Sequence, residues 1–202
     1  MSVDEEIGKI DWITKETFWD DCRLKSIDPL LRLILTSDGT LVRHLRSILL
    51  SPIKIEIEDQ REIFLDEEQA RQIGLRAGEK GIQRKVWLTL ENRPLDVAPN
   101  LPRKGEKKVF AVSAIPLSGL IPEVYREIRS GQKPLGEIIE AYQLATYRDR
   151  LEVARLPFPE IAEALGRPPG ELLWARRYRL TFSNGAASFI FEAFSPSLFS
   201  SS

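Results

Sequence analysis

This chain has only one cysteine, Cys22, and only one histidine, His44, among its 202 residues. A lone cysteine cannot form an internal disulfide, which favours a reducing compartment. A lone histidine leaves little material for a histidine-based zinc site or a serine–histidine couple. The sequence also has no Walker loop, dinucleotide fingerprint, CxxC or HExxH motif. We therefore expect neither a metal nor a cofactor.

An excess of charge of either sign and a long apolar run are also missing. The 29 basic and 30 acidic residues leave a net charge of −1, which argues against a general nucleic-acid binder. No apolar run approaches the ~20 residues of a membrane-spanning helix. The first residues, MSVDEEIGKID, are acidic and polar and do not resemble a signal peptide. We expect a cytoplasmic protein, a monomer, without nucleic-acid or membrane partners.

The periodicity of apolar residues predicts a mixture of strands and helices. Alternation predicts strands over residues 53–57, 86–90, 109–115, 147–156, 174–182 and 187–194. Capping and proline signals predict helices that begin near residues 29, 41, 66, 122, 134 and 159. Because the strand connections are mostly hairpins or short loops, we expect an α+β fold, an antiparallel sheet with helices against one face. A single domain is expected over residues 1–202, with its core at about residues 28–196.

Glu192 stands where an acidic residue should be costly. It lies within the run FIFEAF, whose large apolar groups occupy both parities of a strand, so that both faces should be covered. A carboxylate buried there must be paired, protonated or used for chemistry. If the Asn184-Gly185 hairpin has a two-residue turn, Arg177 falls opposite Glu192 as an ion-pair partner. A longer turn would shift the register by one residue and give Glu192 another neighbour.

Arg84 begins an apolar strand and has two interpretations. It can be a surface arginine whose stem covers apolar area. It can equally be a bidentate clamp for the carboxylate of a ligand, because a planar guanidinium matches that shape.

Five stretches follow one another along the chain: LILTSDGTLVRHL (33–45), RKVWLTLENRPL (84–95), AIPLSGL (114–120), PLG (134–136) and LLWARRYRLTFSNGAASFIFEAFSP (172–196). Their most specific elements are a DG-x-L helix start, an arginine that begins a strand, and W-x-RR-x-R-L followed by a late glutamate and a proline. In this order the stretches resemble the chorismate pyruvate-lyase family, the enzymes that make 4-hydroxybenzoate for quinone biosynthesis.

This resemblance implies a cofactor-independent lyase that converts chorismate to 4-hydroxybenzoate and pyruvate. It implies an aromatic acid held in an internal pocket of an antiparallel sheet, under helical flaps. The carboxylate-binding arginine of the family falls on Arg84 and its late glutamate falls on Glu192, as a general base or as a positioning group. Two ligand contacts of largely backbone character fall on Leu41 and Leu117.

The sequence departs from the family pattern at two kinds of place. An arginine expected just before the AIP segment is Val112 here. Replacements could come from Arg93, Arg103, Arg176, Arg177 or Arg179, between which spacing does not decide. Residues 96–108 and roughly 154–170 read as insertions.

A non-catalytic, effector-sensing module of the same fold is the competing interpretation, because such domains occur in transcription regulators. Regulators of that kind carry a DNA-binding helix-turn-helix, and the ~30 residues before the expected core are too few and too acidic for one. We therefore expect an enzyme.

Overall fold

The computed structural model describes residues 11–90 and 106–198. Its strands are β1 (Ile13–Thr14), β2 (Ile53–Phe64), β3 (Lys80–Leu90), β4 (Lys107–Pro116), β5 (Thr146–Pro157), β6 (Leu172–Phe182) and β7 (Ala187–Phe194). Its α-helices are α1 (Cys22–Lys25), α2 (Pro29–Thr36), α3 (Leu41–Leu49), α4 (Glu67–Ile73), α5 (Pro122–Ser130), α6 (Leu135–Ala141) and α7 (Pro159–Ala164). Short 3₁₀ turns cover Lys15–Thr17 and Pro196–Leu198.

The strands form one antiparallel sheet in the order β1-β5-β6-β7-β4-β3-β2. Consecutive strands β2, β3 and β4 are neighbours, as are β5, β6 and β7, so most connections are hairpins. The link from β4 to β5 carries α5 and α6. The predicted α+β fold with an antiparallel sheet is confirmed.

Both faces of the sheet are covered, which explains the apolar character of β7. All eight residues of β7 are buried. On one face, α2 and α3 pack against side chains such as Leu180 and Ile190. On the other, the short helices α4 and α7 pack against Phe189 and Phe191. The sequence predicted helices on one face of the sheet only, whereas α4 and α7 cover the other face as well.

Helix starts follow the capping signals in the sequence. Asp28 precedes Pro29 and accepts hydrogen bonds from the backbone N–H groups of Leu30 at 2.8 Å and Leu31 at 3.2 Å. Asp66 and Gln69 form a reciprocal capping box at the start of α4. The predicted helix starts at residues 29 and 66 are therefore confirmed.

The β6–β7 hairpin decides between the two registers that the sequence left open for Glu192, and it excludes the pairing with Arg177. Its loop has three residues, Ser183 to Gly185, and Gly185 adopts φ +85°, a left-handed conformation that glycine allows at little cost. The extra residue shifts the register, so that Arg176 lies opposite Glu192 and Arg177 lies opposite Phe191.

Two further expectations concern the insertion at residues 96–108 and the absence of a membrane-spanning helix. Residues 96–105 of the expected insertion lie outside the described residues, whereas Lys107 and Lys108 belong to β4. In the part of the chain that the structure describes, no helix is long and apolar enough to cross a membrane.

The core on the α4–α7 face can be tested with a pair of phenylalanines. Phe191 is fully buried and meets Phe158 edge-on, with ring centroids 5.5 Å apart. We expect Phe191→Ala to lower the free energy of unfolding by about 3–5 kcal/mol in urea titrations. Phe64 is 68% exposed, so Phe64→Ala should change it by less than about 0.5 kcal/mol. Equal losses from the two variants would contradict this assignment of the core.

Candidate functional site

A cavity of about 80 Å³ lies on the α2–α3 face of the sheet, several times the ~10–15 Å³ that one water molecule requires. Strands β3 to β7 form its floor, and the N-terminal ends of α3 and α6 cover it. Its lining residues include Thr40, Leu41, Val42, Arg84, Val86, Ser113, Pro134, Leu135, Gly136, Arg148, Tyr178, Leu180, Ile190 and Glu192. The floor is mostly apolar, with charged groups at a few positions.

Arg84 enters the cavity from β3 and is 2% exposed. Its Nη2 donates to the backbone carbonyl of Lys133 at 3.2 Å, and its buried Nε has no partner among the described residues. No carboxylate of the described chain pairs with it. Burial lowers the pKa of Arg84 to about 10 because desolvation penalises the charged form. A cation in this condition is suited to receive an anion.

Glu192 reaches the same cavity from β7 and is 5% exposed. Its Oε2 accepts a hydrogen bond from Arg176 Nε at 2.5 Å, and its Oε1 accepts one from the Tyr178 hydroxyl at 3.2 Å. Both partners come from β6, the neighbouring strand. These two bonds fix the orientation of the carboxyl group beside the cavity.

Arg176 is completely buried and ties Glu192 to the helical layer. Its Nη1 donates to the carbonyls of Ile34 and Ser37, at the C-terminal end of α2. A guanidinium at that end satisfies carbonyl groups that lack helical partners and complements the helix dipole. Arg176 is one of the five arginines that could replace the one absent at Val112; in the structure it is the partner of Glu192.

The two predicted poles of the site lie on one face and are well separated. Arg84 pairs with Ser113 across β3–β4, and Glu192 pairs with Ala111 across β4–β7. They are therefore two strand spacings apart, ~10 Å, and two residues apart along the strands, ~7 Å. The structure thus brings a guanidinium and a carboxylate to the same cavity with room between them.

The two predicted backbone contacts differ in position. Leu41 is the first residue of α3 and lines the cavity. Leu117 follows β4 and packs against a neighbouring apolar cluster that contains Ile82 and Ile115. It is not among the residues that line the cavity, so the structure does not bring it together with the other three.

The arginines proposed to replace the one missing at Val112 are engaged elsewhere or not described. Arg177 pairs with Glu152 at 2.6 Å, and Arg179 pairs with Asp149 at 2.5 Å. Both lie on the face opposite the cavity, as their register with Phe191 and Phe189 shows. Arg93 and Arg103 lie outside the described residues.

Arg148 on β5 is a charged residue of the cavity that was not predicted from the sequence. It lies in the charged stretch Arg148–Arg150, which is typical of a solvated surface. A bulge between Asp149 and Glu152, with Arg150 at φ +49°, adds one residue to β5. Counting alternation across such a bulge gives the wrong face, so no local signal in the sequence would have found it.

The cover of the cavity depends on close contact between the starts of α3 and α6. A Cβ built on Gly136 would lie 2.8 Å from the methyl carbon of Thr40. At that distance any larger residue would force the Thr40 methyl group or the helix starts to shift, so glycine lets the two helix starts approach closely over the cavity.

The surroundings of the cavity carry an excess of positive charge. The pKa of His44 is lowered first by burial and then by Arg176, Arg148 and Arg43. No group of three or more His, Cys, Asp or Glu side chains that could hold a metal ion occurs within residues 11–90 and 106–198. The positive charge of the arginines around the cavity therefore favours an anion over a metal ion as its ligand.

The fold and this cavity together define an antiparallel sheet that carries a cavity beneath two helix starts, with Arg84 and Glu192 among its lining residues. A family model described as chorismate pyruvate-lyase, Rv2949c-like, matches residues 35–201. The chain belongs to this family, and the predicted resemblance is confirmed. Comparison with curated proteins gives no match.

Solved structures with a similar fold come from transcription regulators. The effector domain of PhnF from Mycobacterium smegmatis matches with a TM-score of 0.57 at 14% identity, over 79% of this chain and 90% of that one. A GntR-family transcriptional regulator from Bacillus cereus matches with a TM-score of 0.54 at 12% identity, over 74% and 96% of the two chains. At these identities the similarity concerns the fold alone.

The environment of Tyr178 predicts a change of stability at high pH. Burial, and then the charge of Glu192, raise the pKa of Tyr178 to about 12, against ~10 in an unfolded chain. Below pH 10 both states keep the proton. Between pH 10 and 12 the unfolded state loses it while the folded state does not, so stability falls as pH rises.

We expect the free energy of unfolding of the wild type to fall across this range by about 2–3 kcal/mol more than that of Tyr178→Phe. Urea titrations at stepped pH measure the difference between the two proteins. Parallel pH profiles would show that Tyr178 titrates normally.

Proposed function

We propose that this protein is a chorismate lyase, which converts chorismate to 4-hydroxybenzoate and pyruvate for quinone biosynthesis in the cytoplasm. One observation carries the proposal. The buried guanidinium of Arg84, which has no carboxylate partner in the described chain, lies in the same cavity as Glu192. A ring-bearing acid with its carboxylate at one end and a hydroxyl at the other matches these two poles.

Arg84 would bind the ring carboxylate of chorismate. Its unpartnered Nε and its Nη groups can donate two parallel hydrogen bonds, in a site from which water is largely removed. Each such charge-assisted bond is worth about 1.5–3 kcal/mol. The ring would then lie over the apolar floor made by Val86, Leu180 and Ile190.

Glu192 would act at the hydroxyl end of the ring. In the reaction the bond between the ring and the ether oxygen breaks, and the hydroxyl-bearing ring carbon loses its proton. The electron pair of that C–H bond completes the aromatic ring, and the departing enolpyruvate takes up a proton at its methylene carbon to become pyruvate. Glu192, hydrogen-bonded by Arg176 and Tyr178, would accept the ring proton as general base.

A direct assay tests both the reaction and the role of Glu192. The purified protein is expected to release 4-hydroxybenzoate and pyruvate from chorismate in equal amounts. Glu192→Gln keeps the shape but accepts a proton poorly, so kcat should fall by ~10²–10⁴-fold. The melting temperature of the variant shows whether it is folded. Unchanged turnover in a folded variant would reduce Glu192 to a binding group.

The role of Arg84 is tested by equilibrium binding of 4-hydroxybenzoate. Arg84→Met keeps the apolar stem and removes the charge, and we expect Kd to rise about 10- to 100-fold. Arg155→Met is the matched control, because Arg155 is an exposed arginine on β5 and does not line the cavity. Undiminished affinity in Arg84→Met would remove Arg84 from the site.

An effector-binding domain without catalysis is the second candidate, favoured by the effector-domain fold of PhnF. A sensor of this build would bind 4-hydroxybenzoate or a related acid through Arg84 and leave chorismate intact. The assay for pyruvate separates the two functions, since binding without turnover identifies the sensor.

A further inference from the structure

We propose that Arg148 binds the second carboxylate of the substrate, the one on the enolpyruvyl group. This inference rests on the proposed lyase function and adds to it the residue that selects a dicarboxylate. It depends on three observations: the placement of Arg148, the balance of charge around the cavity, and the order of groups across the sheet.

The placement of Arg148 leaves donors available to a ligand. It is half-buried on β5 and lines the cavity together with Tyr178 and Leu180. Its Nη1 donates to the backbone carbonyl of Asp38, in the turn that precedes α3, and its Cζ lies 5.2 Å from the centre of the Tyr178 ring. Its Nε is buried and has no hydrogen-bond partner among the described residues. A buried donor without a partner is costly unless a ligand satisfies it.

The balance of charge around the cavity calls for a dianion. Four charged side chains matter here: Arg84, Arg148, Arg176 and Glu192. Arg176 and Glu192 neutralise each other as an ion pair. Arg84 and Arg148 have no carboxylate partner in the described parts of the chain, which leaves two positive charges at one cavity. Chorismate carries two carboxylates, whereas each product of the reaction carries one.

The order of groups across the sheet fits the same molecule. From β3 to β5 the cavity presents Arg84, then Glu192 on β7, then Tyr178 on β6, then Arg148. Arg84 and Arg148 are four strand spacings apart, ~19 Å between their strands, and both side chains line the cavity between them. With the ring carboxylate on Arg84 and the reacting carbons at Glu192, the enolpyruvyl group extends toward Arg148. Arg148 thus supplies, from another strand, the charge that is missing at Val112.

The experiment compares a dianionic with a monoanionic ligand in the same variants. For Arg148→Met we expect kcat/KM for chorismate to fall about 10- to 100-fold. The Kd for 4-hydroxybenzoate, which has no second carboxylate, should change less than about threefold. Arg84→Met should lower kcat/KM for chorismate and raise the Kd for 4-hydroxybenzoate. Arg148→Lys should recover part of the loss for chorismate, because it restores the charge without the fork.

The comparison of the two ligands in the same variant also tests whether the role of Arg148 is purely structural. If Arg148 only anchored the turn at Asp38, its loss would loosen the cover over both ligands, and equal losses for chorismate and 4-hydroxybenzoate would overturn the proposal. An unchanged kcat/KM for chorismate would overturn it as well. Arg155→Met, on the same strand, should leave both measurements unaltered.

If the wild-type protein releases no pyruvate, the lyase function fails, but the role of Arg148 can still be tested. The measurement is then the equilibrium binding of chorismate. Loss of that binding in Arg148→Met, with 4-hydroxybenzoate binding retained, supports the dicarboxylate site without the reaction. Equal affinity of the wild type and Arg148→Met for chorismate rejects it.

Discussion

The ion pair between Arg176 and Glu192 is the interaction on which the site depends. It joins β6 to β7 under the cavity, and the same guanidinium closes the C-terminal end of α2. Neither charge is stable alone at this depth, since each requires the other to offset its desolvation. Because one arginine bonds both the carboxylate and the helix, the helical layer and Glu192 are held in fixed relation.

The remaining cations follow from this pairing. With Arg176 paired to Glu192, Arg84 and Arg148 are left as separate positive groups at the two ends of the cavity. Burial lowers the pKa of Arg84, and burial together with the neighbouring arginines lowers the pKa of His44. Cations that are removed from water and lack a carboxylate partner in the described chain are costly, and an acidic ligand would offset that cost.

Much of this arrangement could be predicted from the sequence. Alternation and caps predicted the strands and helix starts, because both are set by neighbouring residues, and the resemblance to a family brought Arg84, Glu192 and Leu41 forward together. The partner of Glu192 could not be fixed, because one residue in the turn at Ser183–Gly185 decides the register of a whole hairpin. Arg148 could not be found, because the bulge at Arg150 is a tertiary feature that reverses the parity of β5.

The contact between Thr40 and Gly136 has a consequence for which substitutions the covering layer can accept. Residue 136 has no room for a Cβ while the Thr40 methyl group keeps its place. A larger residue there would have to be matched by a smaller one at position 40, or the two helix starts would move apart above the sheet. Two positions far apart in the sequence are therefore coupled by the space that they share.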